Sequence, residues 1–192
     1  LIISIDGNSQ ETYEIYRKKG NYNKVIEGTK NILRWKKKLN SQYPHIIFQF
    51  LVVRTNEHLI EEMKILAEEI GVDELRFKTA QLYNYEDGNE LIPENENYSR
   101  YVKLKNGKYK IKNKFYNHCW RMWSSAVITS KGSIVPCCFD KDAKHTLGNL
   151  ENDSFKKIWF SNYYNNFRKQ IFLDRKEIEI CRNCSEGSKV WA

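Results

Sequence analysis

The sequence predicts an α/β chain that ends in a separate cysteine-bearing domain, and three observations lead to that expectation. Strand and helix signals alternate through the first ninety residues. A polar stretch, NYEDGNELIPENENYSR (84–100), then interrupts the pattern and contains Pro93. All five cysteines follow residue 118. The expected boundaries are 1–92 for the α/β part, 93–118 for a linker and 119–192 for the cysteine-bearing domain.

The opening LIISI is a continuous apolar run ended by Asp6-Gly7, which reads as a buried strand. From Ser9 to Leu39 the chain is helical in character, with Val25, Ile26, Thr29, Ile32, Leu33 and Trp35 at three- and four-residue spacings. IIFQFLVV (46–53) is rich in β-branched and aromatic residues and supplies a second strand. Asn56 to Ile70 then places Leu59, Ile60, Met63, Leu66, Ala67 and Ile70 on one helical face, and Gly71 stops the helix. ELRFKTAQL is the third strand. A βαβαβ order implies a parallel sheet, because parallel neighbours need crossover connections, and the crossover helices cover the outer face.

Composition limits the function classes. At 192 residues and 41% hydrophobic content the chain can bury a sizeable core, and its 14% aromatic share is that of a folded protein. No apolar run reaches the eighteen or more residues of a membrane span, and no secretory signal pattern opens the chain, so a cytoplasmic protein is expected. Because a domain seldom begins inside a core strand, the start at Leu1 reads as the start of a C-terminal part. The net charge is +8, with much of the excess in KLKNGKYKIKNK (103–114). That stretch reads as a solvated hairpin around Asn106-Gly107; no recognition-helix or zinc-finger spacing accompanies it, so nucleic acid is not the expected partner.

The cysteines fall in CWRMWSSAVITSKGSIVPCCFD (119–140) and ICRNC (180–184), with Trp120, Trp123, Trp159 and Trp191 around them. Ser124–Thr129 and Ser133–Cys137 flank Ser130-Lys131-Gly132, a hairpin turn whose pairing is expected to bring Cys119 towards Cys137. Cys181 and Cys184 form a C-x2-C knuckle, whose gap lets both sulfurs face one centre. An odd cysteine count without a secretory signal argues against disulfides, and the knuckle's place near the C-terminus argues against a thioredoxin-type motif. Zinc and an iron–sulfur cluster accept the same thiolates, and spacing leaves both open. Between the cysteine groups, Asp153 or Ser154 caps a helix whose apolar stripe is Phe155, Ile158, Trp159, Tyr163, Phe167 and Ile171, a brace for the hairpin.

Cys119, twelve residues, Gly132, four residues, Cys137 and a distant Cys181-x2-Cys184, together with HTLGNLENDSFKKIWFSNYYNNFRKQ, resemble the SPASM or shorter twitch domain of radical S-adenosylmethionine enzymes. The resemblance covers about residues 115 to 187. It implies an auxiliary 4Fe–4S cluster on Cys119, Cys137, Cys181 and Cys184, in the one-cluster twitch form, with Cys138 a spare thiol facing away from its strand neighbour Cys137. SIDGNSQETYEIYRKKGNYNKVIEGTKNI, IIFQFLVVRTNEHLIEEM and ELRFKTAQL are similar to strands 4, 5 and 6, with their helices, of the same family's partial (β/α)6 TIM-like barrel. The resemblance implies S-adenosylmethionine contacts from Ser4 (ribose) and Arg17 (carboxylate), and it places Asp6, Arg54 and Asn56 at strand ends where barrel sites are built; Asn56 also reads as a helix cap.

The family generates its radical with a cluster on C-x3-C-x2-C after strand 1, a motif that these 192 residues lack. The chain therefore reads as the C-terminal part of such an enzyme, inactive alone. For the parent, the resemblance implies reductive cleavage to a 5′-deoxyadenosyl radical, an electron donor such as flavodoxin or ferredoxin, and a peptide or small-molecule substrate such as an aminocyclitol. The auxiliary cluster would accept an electron from a substrate radical or position the substrate. The competing expectation is a non-catalytic binding module stabilised by a four-cysteine zinc or iron–sulfur site.

Overall fold

A computed structural model describes residues 1–112 and 116–184. The described residues divide into two compact units, one up to Lys112 and one from Tyr116 onward. Trp191 lies outside the described residues.

The first unit is built on a parallel sheet of β1 (Ile2–Ser4), β2 (Ile47–Val52) and β3 (Glu74–Thr79), in the order β1-β2-β3. Ile3 pairs with Phe48, and Phe48 with Leu75, so these apolar residues share one face. Phe48, Phe50 and Val52 alternate along β2 and are fully buried there, each contributing about 1.5–3 kcal/mol of apolar burial. The opposite face carries the row Ser4, Gln49 and Arg76 and is less covered. The α/β class and the parallel order match the sequence pattern, whereas three strands are a sheet and not a closed barrel.

The expected helix over 9–39 is two helices, α1 (Gln10–Tyr16) and α2 (Tyr22–Lys38). The break has local causes. Ser9 caps α1 in a reciprocal capping box with Thr12, Lys19 takes a positive φ of 61°, and Asn21 caps α2 through Lys24 N–H. After β2 a 3-10 turn (Glu57–Leu59) leads into α3 (Ile60–Ile70), and Gly71 ends it in the left-handed conformation with φ 80°. Tyr13, Tyr22, Leu59, Ile60, Met63 and Ala67 from these helices close over the sheet.

The lysine-rich stretch is a hairpin of β4 (Tyr101–Lys103) and β5 (Tyr109–Ile111), turning at Gly107 with φ 84° and exposing its lysines. It belongs to the first unit.

The second unit holds α4 (Arg121–Ser124), the antiparallel strands β6 (Val127–Ile128), β7 (Ser133–Val135) and β8 (Gly148–Asn149), and the helices α5 (Phe155–Trp159) and α6 (Asn162–Asp174). The hairpin turns at Gly132, φ 72°, as its sequence implies. The brace helix is split at Ser161, which caps α6 through Tyr164 N–H. The restart shifts the periodicity, so Tyr164 is buried and Tyr163, expected in the stripe, is 63% exposed.

Gly7 sits where a Cβ would lie 2.4 Å from Tyr13 N, against helix backbone that cannot yield. Gly7→Ala is expected to lower stability by about 1–3 kcal/mol, read as a lower urea midpoint in circular dichroism. An unchanged midpoint would refute the close approach of β1 and α1.

Candidate metal centre

Cys119, Cys137, Cys181 and Cys184 line one narrow cavity in the second unit, together with Met122, Phe139, Phe167, Ile171, Ile180, Arg121 and Arg175. None of the four is in a disulfide. Cys138 is exposed and does not line the cavity.

Each sulfur is placed by a different local device. Cys119 precedes α4 and accepts the N–H of Met122 at 3.2 Å through its carbonyl. The expected hairpin pairing does not place it. With Val127 opposite Val135, the register extended backwards sets Ser125, not Cys119, against Cys137, and α4 supplies the remaining reach. Cys137 and Cys138 are likewise not strand neighbours, because β7 ends at Val135 and both occupy the following turn. That turn is closed by Asp140, whose N–H donates to the Cys137 carbonyl at 3.1 Å. The Asp140 carboxylate, 4% exposed, accepts the N–H groups of Lys144 and His145 at 2.8 and 2.9 Å. Cys181 ends a 3-10 turn (Glu179–Cys181), and Cys184 N–H donates to its carbonyl at 3.2 Å.

The brace behind the cavity centres on Arg168 of α6, which is 3% exposed. Its Nε donates to Met122 O at 3.0 Å and its Nη1 to Trp159 O at 2.9 Å, so one guanidinium ties α4 to the end of α5. The same group stacks on Tyr164, Trp159 and Trp123, at 4.0, 4.4 and 4.8 Å from Cζ to the ring centroids. The tryptophans thus serve the brace. Trp120 is 77% exposed, and it is Phe139 and Phe167 that face the cavity.

Burial pushes the Cys137 thiol up to about 11, opposed by the N–H groups of Phe139 and Asp140 and reinforced by Cys184 and Cys138. Burial pushes Cys181 up to about 12, opposed by Arg175, with Cys137 and Cys184 adding to the rise. An apolar pocket disfavours thiolates, and a metal group that bonds to them reverses that preference. The donor set fits such a group: it is sulfur alone, soft, and free of disulfides. Among the described residues no three His, Cys, Asp or Glu side chains are drawn together tightly enough to grip one ion; the four cysteines stand around a cavity instead.

Residues 119–185 match the SPASM family, an iron–sulfur cluster-binding domain. Over 64 residues the chain is 31% identical to the S-adenosyl-L-methionine-dependent 2-deoxy-scyllo-inosamine dehydrogenase of Niallia circulans. The likeness to the SPASM domain is confined to residues 119–185 of the 192. The matched segment is 33% of this chain and 26% of that dehydrogenase. Two crystal structures of BtrN are also similar. Selenomethionine BtrN in an open conformation gives a TM-score of 0.34 at 17% identity over 87% of this chain and 68% of its own. BtrN in complex with AdoMet and 2-DOIA gives 0.34 at 16% identity over 85% and 67%. At that TM-score the BtrN likeness adds no weight. The matched domain family binds an iron–sulfur cluster, and the relative is by name S-adenosyl-L-methionine-dependent.

The other sequence-derived candidates lie in the first unit. Asp6 is 1% exposed; its carboxylate accepts Leu51 N–H at 2.7 Å and pairs with Arg17 Nε. Asn56 is 2% exposed, and its amide donates to Asp6 O at 3.1 Å and Leu51 O at 3.0 Å while accepting Val53 N–H at 2.8 Å. Its side chain therefore makes no helix cap. Ser4 ends β1 on the less covered face. Arg54 donates to Ile92 O at 3.0 Å and pairs with Glu94 at 3.5 Å. Sequence reasoning missed Arg175, which is 2% exposed in the cysteine cavity; its only signal was a basic residue six positions before Cys181, within a run of charges.

Because the thiolate is the reactive form, iodoacetamide at pH 8 is expected to label Cys138 first and Cys181 last in metal-free protein, read by peptide mass spectrometry. Equal rates would contradict the buried cavity. Folding raises the Cys137 and Cys181 values above the ordinary 9.0, so the native chain holds protons that the unfolded chain releases. The metal-free protein should keep this contribution below pH 9 and lose it as pH climbs towards 11–12, seen as urea midpoints falling at alkaline pH.

Proposed function

We propose that this chain is the C-terminal part of a radical S-adenosylmethionine oxidoreductase, and that Cys119, Cys137, Cys181 and Cys184 hold an auxiliary 4Fe–4S cluster. The observation that carries the reading is that these four cysteines, from three separate stretches of sequence, line a single cavity. Bound there, the cluster supplies a one-electron acceptor for a substrate radical, since ligation by four thiolates leaves no open iron position for substrate.

The chain's own residues define how that site works. Met122, Phe139, Phe167, Ile171 and Ile180 exclude water. The backbone amides of Phe139 and Asp140 favour the Cys137 thiolate, and the charge of Arg175 favours that of Cys181. In the first unit, β1–β3 correspond in this reading to strands 4–6 of a (β/α)6 barrel, whose interior is the less covered face. Ser4, Asp6, Arg17, Arg54 and Asn56 then lie at the C-terminal strand ends or on that face, where S-adenosylmethionine would bind. Arg17 and Arg54 keep 37% and 42% of their side-chain surface accessible, enough to meet a carboxylate, while Asp6 and Asn56 position the strand ends. The name of the Niallia circulans relative favours oxidation of a small amino- and hydroxyl-bearing ring over a peptide.

Anaerobically reconstituted protein is expected to be brown and to hold about four irons and four sulfides per chain. Cys181→Ala should abolish retention and Cys138→Ala should leave it intact. A colourless protein with one zinc, or loss of iron from the Cys138 variant alone, would sink the assignment.

A further inference from the structure

Arg175 is among the largest fully enclosed side chains of the protein, at 2% exposure, and it lines the same cavity as the four cysteines. A guanidinium is protonated at every accessible pH and costs several kcal/mol to enclose, so its place in an apolar wall needs a compensating interaction. Its anchoring is specific. Nη1 donates to His118 O at 3.0 Å, and the backbone N–H donates to Asn117 Oδ1 at 3.2 Å, which fixes the side chain against the segment leading into Cys119. Cys181 lines the same cavity, and the positive charge of Arg175 acts on its sulfur, favouring the thiolate. Its charge is therefore fixed to the chain beside one candidate ligand, in the cavity that it shares with the others. The second basic residue on the cavity, Arg121, is exposed, and solvent screens its charge.

Resting on the cluster reading above, we infer that Arg175 is a positioning residue that raises the reduction potential of the auxiliary cluster by holding an unscreened positive charge in the cavity wall it shares with Cys181. When one electron enters the cluster from a donor such as dithionite, its negative charge grows by one unit; no bond forms or breaks. A fixed cation in a low-dielectric wall stabilises the more negative state. The side chain thereby suits the site to receiving electrons.

The test uses the 192-residue chain, reconstituted anaerobically as wild type, Arg175→Gln, Arg175→Lys and Arg121→Gln. Iron and sulfide are counted first, then the cluster is titrated with dithionite and mediators and followed by electron paramagnetic resonance. In Arg175→Gln the one-electron reduction equilibrium is expected to fall at least tenfold, a potential about 59 mV more negative, with Arg175→Lys in between and Arg121→Gln close to wild type. A purely structural role would leave the potential of loaded protein unmoved. Arg175→Gln titrating with wild type, or Arg121→Gln shifting as far as it does, would overturn the inference. Should Arg175→Gln fail to load, Arg175→Lys decides, since its ammonium loses the planar fork: a more negative potential supports the inference and a wild-type value overturns it. Loss of iron from both Arg175 variants also overturns it, while absence of iron from the wild type overturns the cluster reading itself.

Discussion

Enclosure of four thiols in one apolar cavity is the constraint on which the second unit depends. Cysteine packs as a small hydrophobe while it is protonated, and the pocket keeps Cys137 and Cys181 in that form by withholding water. The same pocket becomes costly once the sulfurs are ionised, unless a cationic centre binds them. Metal-group binding and folding are therefore linked in this unit: the walls that stabilise the empty site strengthen every electrostatic contact in the filled one.

Holding four sulfurs around one cavity requires rigid positioning from segments distant in sequence, and the unit achieves it with few groups. Arg168 links the carbonyls of Met122 and Trp159 and fills its remaining surroundings with aromatic faces. Asp140 closes the loop after Cys137 with two backbone donors. Arg175 ties the end of α6 to the segment before Cys119. Three buried charged side chains thus do what a larger apolar core would do in a bigger domain, and each is held through backbone partners that a sliding hydrophobic contact could not supply.

In the first unit a similar economy acts on the sheet. Asp6 and Asn56 satisfy the backbone groups of Leu51, Val53 and Asp6 where β1 and β2 end and the regular ladder can no longer do so. Residues that read in the sequence as cofactor contacts thus have a structural role that stands by itself. Both roles can coexist, because a strand end must be held still before it can orient a ligand.

Alternation of strand and helix, the parallel sheet, the Gly71 stop and the hairpins at Gly107 and Gly132 were legible in the residues, because they rest on local periodicity and backbone permissiveness, whereas the set of Cys119, Cys137, Cys181 and Cys184 came from the family resemblance. The breaks at 17–21 and at Ser161 were not, since short polar residues compete as caps within an otherwise helical pattern. One such break exchanged Tyr163 for Tyr164 in the core. Tertiary structure alone decided that Cys137 and Cys138 part company in a turn, and that α4, not strand pairing, accounts for the reach to Cys119. It alone singled out Arg175 from a run of charged residues, because whether a charge is solvated or enclosed depends on what packs around it, and that packing comes from parts of the chain far away in sequence.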